Sequence, residues 1–108
     1  MQRRQRQIQP TDLKAKAVGV VVRELRDQAG LSQERLSADC GFDRTYISRV
    51  ERGIINPTMS RLWRIADVLG SPLSDVAKRM EVWIVSQEKR AKRPSRQPTL
   101  ENRKNNRF

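Results

Sequence analysis

Arg44, Thr45, Tyr46, Ser48 and Arg49 crowd hydrogen-bonding side chains into six positions of this chain. On a helix turning about 100° per residue, Arg44, Thr45, Ser48 and Arg49 share one face, while Ile47 and Val50 turn to the other. An arginine fork matches O6 and N7 of guanine and discriminates by about 1–3 kcal/mol. A threonine hydroxyl can bond a base or a phosphate, or its methyl can pack on thymine. Tyr46 offers a ring to a sugar and a hydroxyl to a phosphate. This set could read base edges in the major groove of duplex DNA. An ordinary amphipathic helix with a solvated charged face would show the same periodicity, so the elements around it must decide.

The run SQERLSADCGFDRTYISRVERG, residues 32–53, places that face on the second of two short helices. Helix 2 is expected over about 32–40, capped by Ser32, with Leu36, Ala38 and Cys40 as candidates for burial. Gly41-Phe42 makes the turn, because a tight reversal needs a residue in the left-handed region. The recognition helix is expected over about 43–52, capped by Asp43 and stopped by Gly53. A first helix capped by Thr11 or Asp12 precedes them, with Leu13, Ala17, Val21, Leu25 and Gln28/Ala29 along one side and Gly30 at its end. Pro57 forbids helix just before it, and Thr58 caps a fourth helix carrying Leu62, Ile65, Ala66 and Leu69. Ser71-Pro72 opens a fifth, about 72–85, with Leu73, Val76, Ala77, Met80 and Trp83/Ile84 in a stripe. The expected fold is therefore all-α.

Ser32 and Gln33, at the front of helix 2, are placed to hold a phosphate together with the helix dipole. Glu51 would repel DNA, so it is expected to turn toward an arginine such as Arg23, Arg61 or Arg64. Helix 5 admits two readings: its stripe finishes the monomer core, or Leu73, Val76, Met80, Trp83 and Ile84 form a dimer interface. The apolar cluster Met80, Val82, Trp83, Ile84 and Val85 favours the second. Trp63 fits core or interface equally.

Of the net charge of +11, residues 1–12 carry +2, residues 13–84 carry +3 and residues 85–108 carry +6. Residues 1–12 thus read as a flexible basic arm and residues 86–108 as a disordered basic tail, both suited to a polyanionic partner. Apolar runs such as Val82-Trp83-Ile84-Val85 are far short of the ~18–20 residues that a membrane span needs. The stretch MQRRQRQIQP has a basic flank but no apolar run behind it, so a signal peptide is not expected and a cytoplasmic location is. The single cysteine, Cys40, has no disulfide partner and reads as a small core residue. The chain has no histidine, the commonest general base and metal ligand, so neither an enzyme nor a metal or other cofactor is expected.

The stretch GLSQERLSADCGFDRTYISRVERGIINPTMSRLWRIADVLG resembles the Cro-type, phage-repressor-like helix-turn-helix family. Its pattern DRTYIS, ERG, NPT and IADVLG is most similar to the controller proteins of restriction–modification systems. The resemblance spans about residues 18–78 and implies a five-helix, lambda-repressor-like globule, usually a homodimer on an inverted repeat. Carried over by position, it gives Gln33 as a phosphate clamp and Arg44, Thr45 and Arg49 as base readers. Tyr46 and Ser48 match positions that touch backbone or bases, and Arg52 and Asn56 match a loop that meets phosphate. Ile54 and Ile55 depart from that loop's polar pattern. Arg49 replaces a residue that is often small in controller proteins, so the operator should differ.

The expected function is sequence-specific transcriptional regulation, as a repressor or autoregulator, through double-stranded DNA. The alternatives are an antitoxin that represses its own operon, or a coactivator-type adaptor that binds protein or RNA. The antitoxin predicts a toxin partner, with the basic tail ordering on binding; the adaptor bridges proteins through the same fold or binds RNA through its basic tails, and needs no reader in helix 3.

Overall fold

The structure, a computed structural model, describes residues 12–92. Of the expected arm, 1–12, all but Asp12, Thr11 included, lies outside the described residues; of the expected disordered tail, 86–108, residues 86–92 are helical and 93–108 lie outside. The architecture is all-α, with helices α1 (Leu13–Ala29), α2 (Gln33–Cys40), α3 (Tyr46–Glu51), α4 (Met59–Leu69) and α5 (Leu73–Lys92). Helix α1 is the central post: α3, α4 and α5 all pack on it, and α2 packs across α3 and α4.

The helix ends follow from side-chain chemistry. The Asp12 carboxylate accepts from the amides of Lys14 and Ala15 at the start of α1. Ser32 Oγ accepts from Arg35 N at α2, and Thr58 Oγ1 from Arg61 N at α4. Each bond satisfies an amide that the helix leaves without a partner. At the other end of α2, Gly41 adopts φ 76°. There Gly41 N donates to Ala38 O and Phe42 N to Ser37 O, closing the last turn.

The core is a single cluster. Val21 and Val22 of α1, Leu36 and Cys40 of α2, Ile47 and Val50 of α3, and Ile65 and Ala66 of α4 are all nearly or fully buried, with Val76 of α5. Each large aliphatic side chain taken from water here contributes about 1.5–3 kcal/mol. Gly19 sits mid-helix on α1 for a different reason than flexibility. A Cβ there would lie 2.6 Å from the carbonyl oxygens of both Val50 and Glu51. The missing side chain lets α3 lie directly against α1.

Several expectations are corrected. Ala38 and Ala77 are exposed, as are Gln28 and Ala29; an alanine is small enough to face water at little cost, so periodicity overstates its burial. Helix α5 continues to Lys92 rather than ending near residue 85, because nothing in Ser86–Lys92 breaks a helix. Trp63 is 54% exposed and does not belong to the core. Among the described residues, no helix is long and apolar enough to cross a membrane.

Candidate nucleic-acid interface

Two devices fix α3 on the body of the molecule. Ser37, fully buried in α2, accepts through Oγ from Ile47 N at 3.2 Å, which ties the first turn of α3 to α2. The second device is a buried ion pair. Arg26 of α1 donates from Nε to Glu51 Oε2 at 2.6 Å and from Nη2 to Glu51 Oε1 at 3.0 Å, and its Nη1 donates to Leu31 O at 2.8 Å. The Glu51 side chain is only 3% exposed. Its hydrogen bond raises the Arg26 pKa, which holds the guanidinium in its charged form. Glu51 therefore faces Arg26, not Arg23, Arg61 or Arg64. Sequence periodicity puts Arg26 one turn after Val22 on the buried side of α1, and that was the available signal.

The same carboxylate serves the candidate phosphate clamp. Gln33 Nε2 donates to Glu51 Oε1 at 2.9 Å. One of its two amide hydrogens is used; the other is directed by that bond and is available to an anion. Gln33 is half-buried, and Ser32 beside it is exposed and already engaged as a cap. A chain of contacts thus runs from α1 through α3 to the front of α2.

The front of α3 differs from the expected helix. Asp43 does not cap a helix running from 43. Its carboxylate accepts from Thr45 N at 3.1 Å and Thr45 Oγ1 at 2.6 Å, and its carbonyl accepts from Tyr46 N at 2.9 Å. This turn holds Arg44 and Thr45 ahead of the first helical residue, Tyr46, because an aspartate offers its neighbouring amides an alternative to the helical bond. Arg49 Nη2 approaches Asp43 Oδ2 at 3.8 Å. The hydrogen bonds from Thr45 lower the Asp43 pKa, with a smaller contribution from Arg49. Arg44 and Thr45 are exposed and Ser48 and Arg49 half-exposed, and Asp43 joins Thr45 to Arg49. The Arg49 Nε is buried without a hydrogen-bond partner, so only the tip of its fork is presented outward.

Tyr46 is a correction. It is 7% exposed, with its ring centroid 4.7 Å from that of Phe42. The Arg61 guanidinium stacks on both rings, at 5.0 Å from Phe42 and 4.7 Å from Tyr46. Its ring is spent on packing and is not free to meet a sugar. The spacing Phe42, Tyr46, Val50 at i,i+4 carried that information. Arg64 Nη1 donates to Cys40 O at 3.3 Å, placing a positive charge at the carboxyl end of α2. Arg52 and Asn56 are exposed after α3, as is Ile54, while Ile55 packs against the core.

Along α5, Val76 is 2% exposed and belongs to the monomer core, so it cannot line an interface. Leu73 and Met80 also pack against that core. Trp83 and Ile84 are half-buried, and the side chains left outside are Val82 at 61% and Val85 at 49% exposure.

A short helix, a left-handed glycine turn and a second short helix with arginine and hydroxyl groups at its exposed front define a helix-turn-helix protein. The sequence profile of the HTH_3 family, Helix-turn-helix, matches residues 22–76, which is half of the chain. The chain is 44% identical over 55 residues to an uncharacterized HTH-type transcriptional regulator, y4dJ, of Sinorhizobium fredii, covering 51% of this chain and 71% of that protein. It is 37% identical over 59 residues to the control protein C.BamHI of Bacillus amyloliquefaciens, covering 54% and 73%. Among solved structures, the wild-type restriction–modification controller protein C.Esp1396I superposes with a TM-score of 0.63 at 29% identity, covering 68% of this chain and 95% of that one. This chain belongs to the helix-turn-helix family of small DNA-binding transcription regulators.

Proposed function

We propose that the protein is a sequence-specific regulator, acting as a repressor or autoregulator, that binds an inverted-repeat operator as a homodimer. The observation that carries this reading is the group Arg44, Thr45, Ser48 and Arg49, held outward at the front of α3 while Ile47 and Val50 anchor the helix in the core. Those four would read base edges. Gln33, oriented by Glu51, together with Ser32, Arg52 and Asn56, would meet phosphates and set the register. Of the earlier phosphate candidates, Tyr46 is left only its hydroxyl. The relatives that are controller proteins support the operator geometry, with two recognition helices about 34–36 Å apart on the duplex. The dimer contact in this reading is Val82 and Val85, with Trp83 and Ile84, rather than Leu73, Val76 and Met80.

Site selection from random duplex DNA at ~150 mM salt tests the reading, because non-specific phosphate binding is weak at that salt. An enriched inverted repeat is expected, lost on replacing Arg44, Thr45 and Arg49 together by alanine. Equal enrichment by the triple variant would remove α3 as the reader. The adaptor reading is favoured by one observation, the exposed pair Met59 and Trp63 one turn apart on α4. It predicts no enriched sequence at all.

A further inference from the structure

Asp43 contacts Thr45 and Arg49 at the reading face, and while the family resemblance makes those two base readers, neither it nor the relatives' descriptions give Asp43 a role there. We propose that Asp43 determines specificity by consuming the only proton of the Thr45 hydroxyl, so that Thr45 presents lone pairs alone and selects a base with an exocyclic amino group, adenine or cytosine. The inference rests on the reading of α3 as the base-reading element and goes one step beyond it.

The chemistry is fixed by the donor inventory. A threonine hydroxyl has one O–H and two lone pairs, and in general it can meet either a donor or an acceptor on a base. A carboxylate can only accept. The 2.6 Å contact between Thr45 Oγ1 and Asp43 Oδ2 therefore has one possible polarity: Thr45 donates. The Thr45 amide donates to the same oxygen at 3.1 Å, so the carboxylate is held in place by the backbone and not by the hydroxyl alone. Arg49 Nη2 stands 3.8 Å from it and favours its charged form. Both Asp43 and Thr45 are exposed, so the remaining lone pairs of Oγ1 are open to a ligand. In the major groove, adenine N6 and cytosine N4 are donors, whereas guanine O6 and N7 and thymine O4 are acceptors. An oxygen without a proton pairs with the first two and meets the others with lone pair against lone pair. The same argument excludes a phosphate as the hydroxyl's partner.

The test begins with the selected operator and a Thr45→Val variant, which keeps the shape and the methyl group and removes only the hydroxyl. The Thr45 side chain makes no capping bond to α3, so the variant should fold, which circular dichroism checks. The base pair at which Thr45→Val loses preference identifies the contact. Every base pair carries one amino group in the major groove, on adenine or cytosine, so the amino group itself must be tested. Wild-type protein is then titrated with operators in which that adenine is replaced by purine, or that cytosine by 2-pyrimidinone, both lacking the amino group. Affinity should fall about two- to tenfold, the range of one hydrogen bond. Thr45→Val should be indifferent to the analogue. Asp43→Ala frees the proton, and should newly tolerate guanine or thymine at that position while keeping the preferences set by Arg44 and Arg49.

A wild-type affinity that depends on the thymine O4 or guanine O6 of that pair, tested with base analogues lacking the oxygen, overturns the inference. So does a wild-type affinity insensitive to the amino group, or a Thr45→Val variant with unchanged preference at every position. Those results leave the reading of α3 standing so long as the arginine-dependent preferences persist. Loss of all sequence preference in the wild-type protein would instead overturn both. The analogue titration uses wild-type protein, so it decides the matter even if Asp43→Ala does not fold.

Discussion

A single buried thiol and a single buried carboxylate show how far individual side chains are committed here. Burial pushes the Cys40 pKa up from 9.0 to about 11. A folded-state pKa raised above the unfolded one, for a group that is neutral when protonated, means that the unfolded chain loses its proton first. Stability is therefore unaffected below about pH 9 and falls between about pH 9 and 11, by at most about 1.4 kcal/mol per pH unit. Urea denaturation across that window should show the fall in the wild-type protein and less of it in Cys40→Ala. At pH 8 the thiol should react with a disulfide reagent only as fast as the domain opens; prompt reaction would contradict its burial. Glu51 is committed differently. Removing it as Glu51→Ala strands the buried Arg26 guanidinium, and a broken buried pair costs about 3–5 kcal/mol. Because Gln33 leans on the same carboxylate, DNA affinity should also fall at conditions where the variant is still folded. A stability loss below about 1 kcal/mol in urea would show that water replaces the carboxylate.

Helix α1 makes the sharpest prediction about elements, since two effects oppose each other at Gly19. Helix propensity alone favours Gly19→Ala by about 1 kcal/mol. Contact opposes it, because the new Cβ would lie 2.6 Å from two backbone oxygens of α3, and backbone cannot rotate away as a side chain can. Overpacking of this kind costs about 1–3 kcal/mol, and here both atoms met are main chain, so the clash should win. The expected result is a drop in Tm of roughly 4–8 °C per kcal/mol lost. A rise in Tm on calorimetry would mean that α1 and α3 can separate freely, and that α3 is less rigidly held than its core contacts imply.

The same element shows what the sequence could tell. Ser32, Thr58 and the glycine at 41 speak through local chemistry, so the starts of α2 and α4 and the glycine turn are legible, while the first cap stays open between Thr11 and Asp12 and the start of α3 and the end of α5 are not given. The partly outward placement of Ser48 and Arg49 followed from one helical period, whereas Arg44 and Thr45 are exposed in the turn ahead of it. What escaped depends on contacts distant in sequence: Arg26 with Glu51 across 25 residues, Ser37 with Ile47 N, and the closeness of α1 and α3 at Gly19. Periodicity assigns a face but not its neighbour. The polar end of Tyr46 suggests an outward residue, although its ring shares a side with Phe42 and Val50. Asp43 has the residue type of a helix cap, but its side chain bonds two residues ahead and delays the helix. In both cases the residue type was informative and the partner was not.

At the scale of the whole molecule, α5 is longer than the globule can use. Its twenty residues span about 30 Å, yet the side chains it gives to the core end at Met80. Val82 and Val85 beyond that point are exposed, and Trp83 and Ile84 are only partly covered, in a chain whose formal charge is +11. A like-charged pair of molecules associates only if apolar burial outweighs the repulsion, and these four residues are the surface that could supply it. Val82→Glu with Val85→Glu should therefore yield monomers in sedimentation equilibrium at micromolar concentration, where the wild-type protein is expected to be dimeric. Because both side chains face water in the single chain, its own stability should change by no more than about 0.5 kcal/mol. Binding should split accordingly. Each monomer should keep its affinity for an isolated half-site, while affinity for the inverted repeat falls by about 10²–10⁴, the factor lost when the second contact is no longer intramolecular. A dimer that persists in the double variant would move the interface to another apolar surface, of which Met59 and Trp63 on α4 are the next exposed pair. The half-site affinity is the control for an intact reading face, because it depends on one chain alone and should be the same in either outcome.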